Sequence, residues 1–449
     1  MNDIDEYISG NADRFVAELC EYLKKPSISA QGVGMEECAR YIAGHMNALG
    51  IAAKILPTGG FPVVYGESGR KGAGKTLLIY GHYDVQPPEP LEEWVTPPFS
   101  PSIRDGRIYA RGSGDNKGPH FAHLKAIESF LAVRGNLPIK VKILLEGEEE
   151  SGSIHLATFI ESNKELLAAD GAFSADGPMH ESGRPLVFLG VRGIVTFELE
   201  ASGANQDFHS GKAGTVPNPA WELVQLLATM KDRRGQVLIE GFYDDLRPPE
   251  AAAEEAVRSI PFDPEKVLRM WGLEAFDGDP GVPYHHKLMF LPTFNICGLA
   301  GGYGGEGVKT VIPRRASVKI DVRLVPDQDP EKILGCIRAH MDAHGFGHIR
   351  LIPRGFKYPA SRTPLTHPFS KAVIRAVAAG FGDAPLVYPS IGASAPDYVF
   401  TRIMGLPSIW AAYSPHDEQN HAPNENTTID AFVKGIRTTV ALIKELAEA

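Results

Sequence analysis

At 449 residues the chain is too long for one ordinary hydrophobic core, so we expect two domains or more. Its 43% hydrophobic and 22% charged residues are typical of a soluble globular protein, and its net charge of −10 argues against the basic face that nucleic acids require. Because it has no run of about 18 apolar residues, no apolar leader and no closely spaced cysteines, the sequence predicts no membrane partner, a cytoplasmic location and reduced thiols.

The first part of the chain alternates helical and strand-like segments. Residues 3–25 and 35–49 predict amphipathic helices, and residues 76–80 and 139–145 predict buried strands. Between these strands, Pro119 is expected at the first position of a helix that runs to about residue 133. Strand alternating with helix indicates an α/β core, and histidine or acids follow both strands where such sheets bind ligands.

From about residue 190 the pattern changes to strands with one exposed face. Residues 193–201 and 316–324 alternate in this way, and helices are predicted over 218–231 and 330–344. These elements predict a separate α+β unit. The acidic, alanine-rich segment 243–287 gives no clear pattern.

The order of the polar motifs predicts a discontinuous catalytic domain. His421 has to meet ligands that come before residue 180, so the chain must return to its first domain. We therefore predict a metal-binding catalytic domain formed by residues 1–190 and 356–449, with an inserted lid over residues 191–355.

Five short motifs supply the ligand types that a pair of bridged metal ions needs. Two histidines and three acids provide nitrogen and oxygen ligands in the mixture that zinc or manganese accepts. A further glutamate beside a ligating one is suited to activate a metal-bound water. The motifs are GHYD (81–84), GDNKG (114–118), EGEEESG (146–152), DGP (176–178) and NHA (420–422).

Two glycine-rich segments invite a phosphate or nucleotide interpretation. Asp115 lies in a glycine-rich turn before a helix, as in an anion cradle, but its carboxylate would repel phosphate and suits a bridge between two cations. We expect Lys117 to be a turn or surface residue. The GxGxxG pattern at 302–307 leads into a strand-like segment, so we predict no nucleotide site there.

The consecutive glutamates 148–150 are open to two interpretations. Such a run is usually a solvated surface, but these residues follow a buried strand, and crowded carboxylates are costly unless cations neutralise them. A metal ligand beside a general base is therefore plausible. His209, in the predicted lid, suits a proton-carrying or oxyanion-stabilising role, with an ordinary loop residue as the alternative.

In this order the motifs resemble those of the dinuclear zinc exopeptidases. That family includes carnosinases, cytosolic nonspecific dipeptidases, acetylornithine deacetylase, succinyl-diaminopimelate desuccinylase and aminoacylase, and the chain is most similar to the dipeptidase branch. The resemblance implies an α/β catalytic domain with a mixed sheet flanked by helices, plus an inserted α+β lid or dimerisation domain. It is carried by GHxDVQP (81–87), RGSGDNKG (111–118), EGxEESGS (146–153), DxHSG (207–211), KTVIP (309–313) and NHAPNE (420–425).

The resemblance also implies a role for each metal-site residue. One ion would be held by His82 and Asp176 and the other by Glu150 and His421, with Asp115 bridging both. It makes Glu149 the general base and Asp84 the acid two residues after the first histidine, His82. A slip of one residue would instead make Glu148 the base and Glu149 the ligand, although the sequence at 151–153 favours the first assignment.

Further implied features concern the substrate and a second subunit. His209 and Thr310 would reach the active site of the partner in a homodimer, while Arg323 and Ser394 would hold the substrate carboxylate. The peptide bond after Asp115 is expected to be cis.

The implied activity is hydrolysis of the amide bond of dipeptides or similar small peptides with a free C-terminal carboxylate. Two divalent ions, zinc or manganese, would activate water. Two alternatives remain open at this point: an N-acyl amino acid deacylase using the same site, and a non-catalytic metal-bearing scaffold.

Overall fold

The computed structural model describes residues 2–69, 72 and 74–448. Its helices are α1 (Asn2–Leu23), α2 (Met35–Ala48), α3 (Lys117–Arg134), α4 (Leu156–Ser162), α5 (Lys164–Leu167), α6 (Pro219–Met230), α7 (Ala251–Arg258), α8 (Pro264–Trp271), α9 (Tyr284–Phe290), α10 (Pro330–Ala343), α11 (Pro368–Phe381) and α12 (Ile429–Glu448). Its strands are β1 (Ala52–Leu56), β2 (Val63–Ser68), β3 (Thr76–His82), β4 (Ser102–Arg104), β5 (Arg107–Tyr109), β6 (Lys140–Glu146), β7 (Gly171–Ala175), β8 (Leu186–Phe188), β9 (Gly193–Ser202), β10 (Phe208–His209), β11 (Thr293–Gly301), β12 (Val311–Ile312), β13 (Arg315–Leu324), β14 (Arg350–Tyr358), β15 (Leu386–Tyr388), β16 (Ser408–Ala412) and β17 (Asn426–Thr428).

A mixed eight-stranded sheet forms the centre of the molecule, in the order β1-β2-β6-β3-β7-β16-β8-β15. Its middle strands β6, β3, β7 and β16 are parallel, whereas β2 and β8 run antiparallel to their neighbours β6 and β16. Helices α1, α2, α3, α11 and α12 pack on one face, and α4 packs on the other. Strands covered on both faces are almost entirely apolar, which explains the short buried runs in the sequence. The predicted α/β class with a mixed sheet flanked by helices is confirmed.

The first predicted elements are confirmed as α1, α2, β3 and β6. The expected start of α3 is wrong, because the helix begins at Lys117 and Pro119 occupies its third position. Proline is tolerated there, since the first four N–H groups of a helix have no intrahelical partner.

A second sheet, in the order β11-β13-β9-β14, is antiparallel throughout. Helices α6 and α10 cover one face and bury the apolar residues of β9 and β13, so the alternation in the sequence reflects one covered face. The strands and helices predicted for this part of the chain are confirmed. Strand β14 continues to Tyr358, beyond the predicted domain boundary at residue 355.

Segment 243–287 contains short helices that lead into α9. Residues of α7 and α9, together with Ile260 after α7, form a small apolar cluster against Tyr388 of β15, comprising Ala253, Val257, Ile260, Met289 and Phe290. The segment thus packs beside the edge of the central sheet.

In the part of the chain that the structure describes, no helix combines the length and apolar character needed to cross a membrane.

Candidate active site

The carboxyl ends of parallel strands bring the predicted ligands to one edge of the central sheet. His82 is the last residue of β3 and pairs in register with Glu146, the last residue of β6. Asp176 follows β7, the other neighbour of β3, and its N–H donates to the carbonyl of Ala411 in β16. Because parallel strands end together, the loops after β3, β6 and β7 face one another.

His82, Asp115 and Asp176 form the first group that can hold a cation. The Nε2 atom of His82 lies 3.1 Å from Oδ1 of Asp115 and 3.6 Å from Oδ2 of Asp176. One ligand atom of each residue lies within 4.8 Å of the others. His82 is buried, and its Nε2 makes no well-directed hydrogen bond, as expected of a nitrogen that ligates a metal.

Asp115, Glu150 and His421 form the second group, and one ligand atom of each residue again lies within 4.8 Å of the others. The Nε2 atom of His421 lies 3.1 Å from Oδ2 of Asp115 and 3.2 Å from Oε2 of Glu150. Asp115 therefore offers one carboxylate oxygen to each group. Gln86 donates from Nε2 to Oε2 of Glu150 at 2.9 Å and fixes the orientation of that carboxylate.

The electrostatics of these groups fit divalent cations. Burial raises the pKa of Glu150 to about 7 and, together with repulsion from Asp115, raises the pKa of Asp176. Hydrogen bonds to Asp115 and Glu150 raise the pKa of His421 to about 10. Two cations would relieve the repulsion among the carboxylates and replace the proton on the histidine. The donor set of two imidazoles and three carboxylates suits zinc or manganese.

Asp84 lies fully buried beneath the two groups. Its carboxylate accepts hydrogen bonds from the backbone N–H groups of Glu149 at 3.2 Å and Glu150 at 3.0 Å. Its Oδ1 also lies 3.4 Å from Nδ1 of His82. Asp84 therefore positions both groups: its carboxylate holds the glutamate turn, and its backbone carbonyl, 3.1 Å from Nδ1 of His82, orients the imidazole.

The three consecutive glutamates have separate surroundings. Glu148 lies 2.9 Å from Nδ1 of His155 and accepts from the N–H of Phe61, outside both ligand groups. Glu149 begins a 3-10 turn and lines a cavity beside the ligand groups, and burial raises its pKa well above the usual range. Glu150 joins Asp115 and His421. This geometry favours the first of the two registers considered above.

Glu425 is a site residue that sequence reasoning missed. Its buried carboxylate pairs with Nη1 of Arg111 at 2.7 Å. It also accepts from the backbone N–H groups of Gly112, Gly114 and Asp115 at 2.9–3.1 Å. A glycine-rich turn has many backbone N–H groups and few side chains that can accept hydrogen bonds from them, so an acid from elsewhere in the chain is needed. The glutamate that ends the NHAPNE motif was the sequence signal that could have identified this residue.

The expectation that Lys117 is a turn or surface residue is wrong. It is fully buried at the start of α3, and its Nζ donates to the carbonyl of Lys25 at 2.5 Å. A buried ammonium needs such a partner, which only the tertiary fold supplies. The preceding Asp115–Asn116 peptide is cis, as the resemblance implies.

A cavity of about 540 Å³ opens from the ligand groups. Asp115, Glu149, Asp176 and His421 line one end of it, and Ser394 lines its wall. Arg323 donates from Nη1 to Oγ of Ser394 at 2.8 Å. The structure thus brings the predicted carboxylate-binding pair together beside the cavity.

His209 and Thr310 lie outside the cavity and outside both ligand groups. Nε2 of His209 is 3.5 Å from Oγ1 of Thr310, and both side chains are exposed. Among the residues that the structure describes, neither of the two lines this cavity or belongs to a ligand group. The chain therefore pairs them with each other but not with its own candidate metal site.

Comparison with known proteins adds four similarities. Residues 78–445 match the model of peptidase family M20/M25/M40. Beta-Ala-His dipeptidase of Mus musculus is 31% identical over 362 residues, covering 76% of this chain and 74% of that protein. Cys-Gly metallodipeptidase DUG1 of Saccharomyces cerevisiae is 29% identical over 414 residues, covering 86% of this chain and 82% of that protein. The crystal structure of the M20 family metallo-carboxypeptidase Sso-CP2 from Sulfolobus solfataricus superimposes with a TM-score of 0.89 at 38% identity, covering 97% of this chain and 99% of that one.

Proposed function

The chain belongs to peptidase family M20/M25/M40, and from this premise we propose that it hydrolyses dipeptides with a free C-terminal carboxylate by means of two divalent metal ions. The protein is a metallopeptidase, and its similarity to the dipeptidase branch is confirmed by its relatives. The observation that carries the proposal is that Asp115 offers one carboxylate oxygen to each of two ligand groups.

Each ligand group would hold one ion. The first ion would bind His82, Asp115 and Asp176, and the second would bind Asp115, Glu150 and His421. Zinc suits this mixture of imidazole and carboxylate best, and manganese is also accepted. When bound, the ions supply Lewis acidity, which lowers the pKa of water and polarises the substrate carbonyl.

Glu149 is the proposed general base. Its carboxylate takes a proton from the attacking water and then passes that proton to the nitrogen of the leaving amine, so the broken C–N bond ends as an acid and an amine. The position of Glu149 between the cavity and the ligand Glu150 supports this role. Asp84 acts as a positioning residue, since it holds the backbone of Glu149 and the ring of His82.

Arg323 and Ser394 are proposed to bind the free carboxylate of the substrate. A guanidinium group and a hydroxyl that already contact each other provide several donors for one carboxylate. Their place beside the cavity would set the distance between the carboxylate and the scissile bond, which favours short peptides.

His209 and Thr310 are proposed to serve the active site of a partner subunit in a homodimer. Two observations support an interface: β11 is an edge strand with exposed Ile296 and Leu299, and α6 exposes Trp221. In this proposal residues 191–355 form the lid and dimerisation domain, and residues 1–190 and 356–449 form the catalytic domain. A cytoplasmic location is proposed because all four cysteines are free thiols.

Carboxypeptidase action on longer peptides is a second candidate. It is favoured by the 38% identity with the metallo-carboxypeptidase Sso-CP2. The deacylase alternative has the same metal chemistry and differs only in the group that occupies the acyl side of the cavity.

A substrate panel tests these proposals. The metal-reconstituted protein would be assayed on Ala-Ala, β-Ala-His, a tripeptide, an N-acetyl amino acid and an N-long-chain-acyl amino acid, with zinc, with manganese and after chelation. We expect metal-dependent cleavage of the dipeptides. Cleavage of the tripeptide from its carboxyl end at an equal rate would favour the carboxypeptidase, and cleavage restricted to acyl amino acids would replace the proposal with a deacylase.

A further inference from the structure

The cavity beside the candidate metal site has one polar end and one apolar end. Apart from the ligand residues, the lining includes His180, the exposed Glu181 and six carbon-rich side chains, of which three are buried and three are half-buried. The six carbon-rich side chains are Met179, Leu186, Phe188, Tyr388, Ile391 and Trp410. The mechanism proposed above requires no apolar surface there, so this end needs a separate explanation.

The aromatic part of the wall is built from neighbouring strands. Phe188 of β8 pairs in register with Tyr388 of β15 and with Trp410 of β16. Residues that are directly opposite on adjacent strands project from the same face, so the three rings stand side by side. The indole Nε1 of Trp410 donates to Oδ1 of Asp397 at 2.7 Å, which leaves only carbon to face the cavity.

One residue of the apolar wall, Ile391, and one residue of the carboxylate-binding pair, Ser394, lie in the same loop after β15. Ile391 lines the cavity three positions before Ser394, which accepts from Arg323. The loop is fixed to the sheet by hydrogen bonds from the N–H of Ile391 to Gly190 at 3.1 Å and from the N–H of Arg192 to Ala393 at 3.0 Å. In a peptide the C-terminal carboxylate and the last side chain share one α-carbon. A carboxylate bound at Ser394 therefore directs that side chain toward Ile391.

Helix α9 supports this loop from outside. A Cβ atom on Gly392 would lie 2.8 Å from Cδ1 of Leu288, so the helix packs directly on the loop backbone. The ring of His285 also packs edge-on against Tyr388, with centroids 6.2 Å apart. Segment 243–287, which gave no pattern in the sequence, thus packs through His285 against one wall of the cavity.

We propose that this apolar end selects a large apolar or aromatic side chain on the C-terminal residue of the substrate. The inference rests on the dipeptidase function proposed above and specifies its substrate class. Burial of a phenyl or isobutyl group against these rings stabilises the bound peptide, whereas a charged side chain placed against the same rings would lose part of its hydration.

Matched dipeptides test the selection. We expect kcat/KM for Ala-Phe and Ala-Leu to exceed that for Ala-Ala by roughly 10- to 100-fold, and Ala-Asp to be the poorest of the four. The reversed peptide Phe-Ala should stay within about threefold of Ala-Ala, because its phenyl group lies on the other side of the scissile bond.

A substitution in the wall provides a second measurement. Ile391→Arg should lower the Ala-Phe to Ala-Ala ratio by about tenfold and raise the relative rate on Ala-Asp, because the new guanidinium would pair with the aspartate. The control Ile103→Arg places the same residue at an isoleucine of β4 that is 53% exposed and does not line the cavity, and it should keep the wild-type ratio.

The dipeptidase function and the side-chain selection are refuted by different results. If none of the dipeptides is cleaved by the metal-loaded protein, the proposed function itself is refuted. If all are cleaved with equal kcat/KM, or if a preference appears only for Phe-Ala, the selection is refuted and the dipeptidase function stands. An unchanged ratio in Ile391→Arg would also overturn the assignment of the wall.

Discussion

Three consecutive glutamates illustrate how the site is specified residue by residue. Glu148 contacts His155, Glu149 faces the cavity, and Glu150 joins a ligand group. The three side chains have the same chemistry, so their roles follow from the direction that each takes when the chain leaves β6. The N–H bonds to Asp84 set that direction.

Glu149→Gln should lower kcat by about 10²- to 10⁴-fold, because the amide cannot accept the proton of the attacking water. Metal content should not change, since Glu149 belongs to neither ligand group. Steady-state kinetics and metal analysis of the same preparation check both statements. The matched control Glu148→Gln alters the neighbouring residue and should retain most activity. Near-normal turnover in Glu149→Gln would remove Glu149 from the mechanism.

Glu425→Gln should destabilise the protein and weaken metal binding. Loss of its charge leaves Arg111 buried without an ionic partner, at a cost of about 3–5 kcal/mol in the free energy of unfolding. Because Glu425 also holds the turn that carries Asp115, zinc affinity should fall by about 10- to 100-fold.

Chemical denaturation of the metal-free protein and zinc titration against a chromophoric chelator measure these two effects. The control Glu255→Gln changes an exposed glutamate of α7 and should shift the unfolding free energy by less than about 0.5 kcal/mol. If Glu425→Gln behaves like this control in both measurements, Glu425 does not position the metal-binding turn.

At the scale of elements, long periodic segments were predictable and contacts between distant segments were not. The helices and strands with clear periodicity formed as expected because each buries one stripe or face. Helices α7, α8 and α9 are only seven or eight residues long, too short for a reliable periodic signal.

The candidate ligand residues were identifiable because the motifs that contain them, taken in order, resemble those of the dinuclear zinc exopeptidases. Their grouping around Asp115, by contrast, joins loops that lie far apart in the chain. Glu425 and the glycine-rich turn are more than 300 residues apart, and the burial of Lys117 depends on the carbonyl of Lys25. Such contacts arise only when the whole sheet assembles.

The packing of α3 against α12 should make stability depend on pH. Burial lowers the pKa of His123 to about 3, and its Nδ1 lies 2.7 Å from Oγ1 of Thr439. In the unfolded chain the histidine titrates near its usual pKa of about 6.5, so below this pH the unfolded state takes up a proton that the folded state does not. The stabilisation is complete above about pH 6.5 and is lost as the pH falls toward 3.

From pH 6.5 to 5 this one histidine should lower the free energy of unfolding by roughly 2 kcal/mol. Denaturation of the wild type and of His123→Gln at pH 7 and 5, both with excess chelator, isolates this contribution as the difference between their pH dependences. Identical pH dependences would show that His123 titrates equally in both states.

At the scale of the whole molecule, the positions of His209 and Thr310 bear on assembly. They contact each other at the exposed two-stranded sheet formed by β10 and β12 and do not line the cavity of their own chain. If they act in a partner's site, the active unit is a dimer, and the inserted domain both joins the subunits and completes their sites.

Mixing inactive subunits tests this arrangement. Subunits carrying His209→Ala and subunits carrying Glu149→Gln should regain about a quarter of wild-type activity after dissociation and random re-association, because half of the dimers contain one complete site out of two. Each variant treated alone serves as the control. Verified heterodimers without activity would place His209 in the site of its own subunit.

Whether two ions share Asp115 can be decided by measuring metal stoichiometry together with activity. The metal-free protein would be titrated with zinc while bound metal and Ala-Ala hydrolysis are followed in the same samples. We expect the wild type to bind two ions per subunit and to reach full activity only as the second ion binds. Asp115→Asn should bind one ion or fewer and should lose activity. Full hydrolysis with a single ion bound, or hydrolysis that persists after chelation, would contradict the proposal that two ions share Asp115.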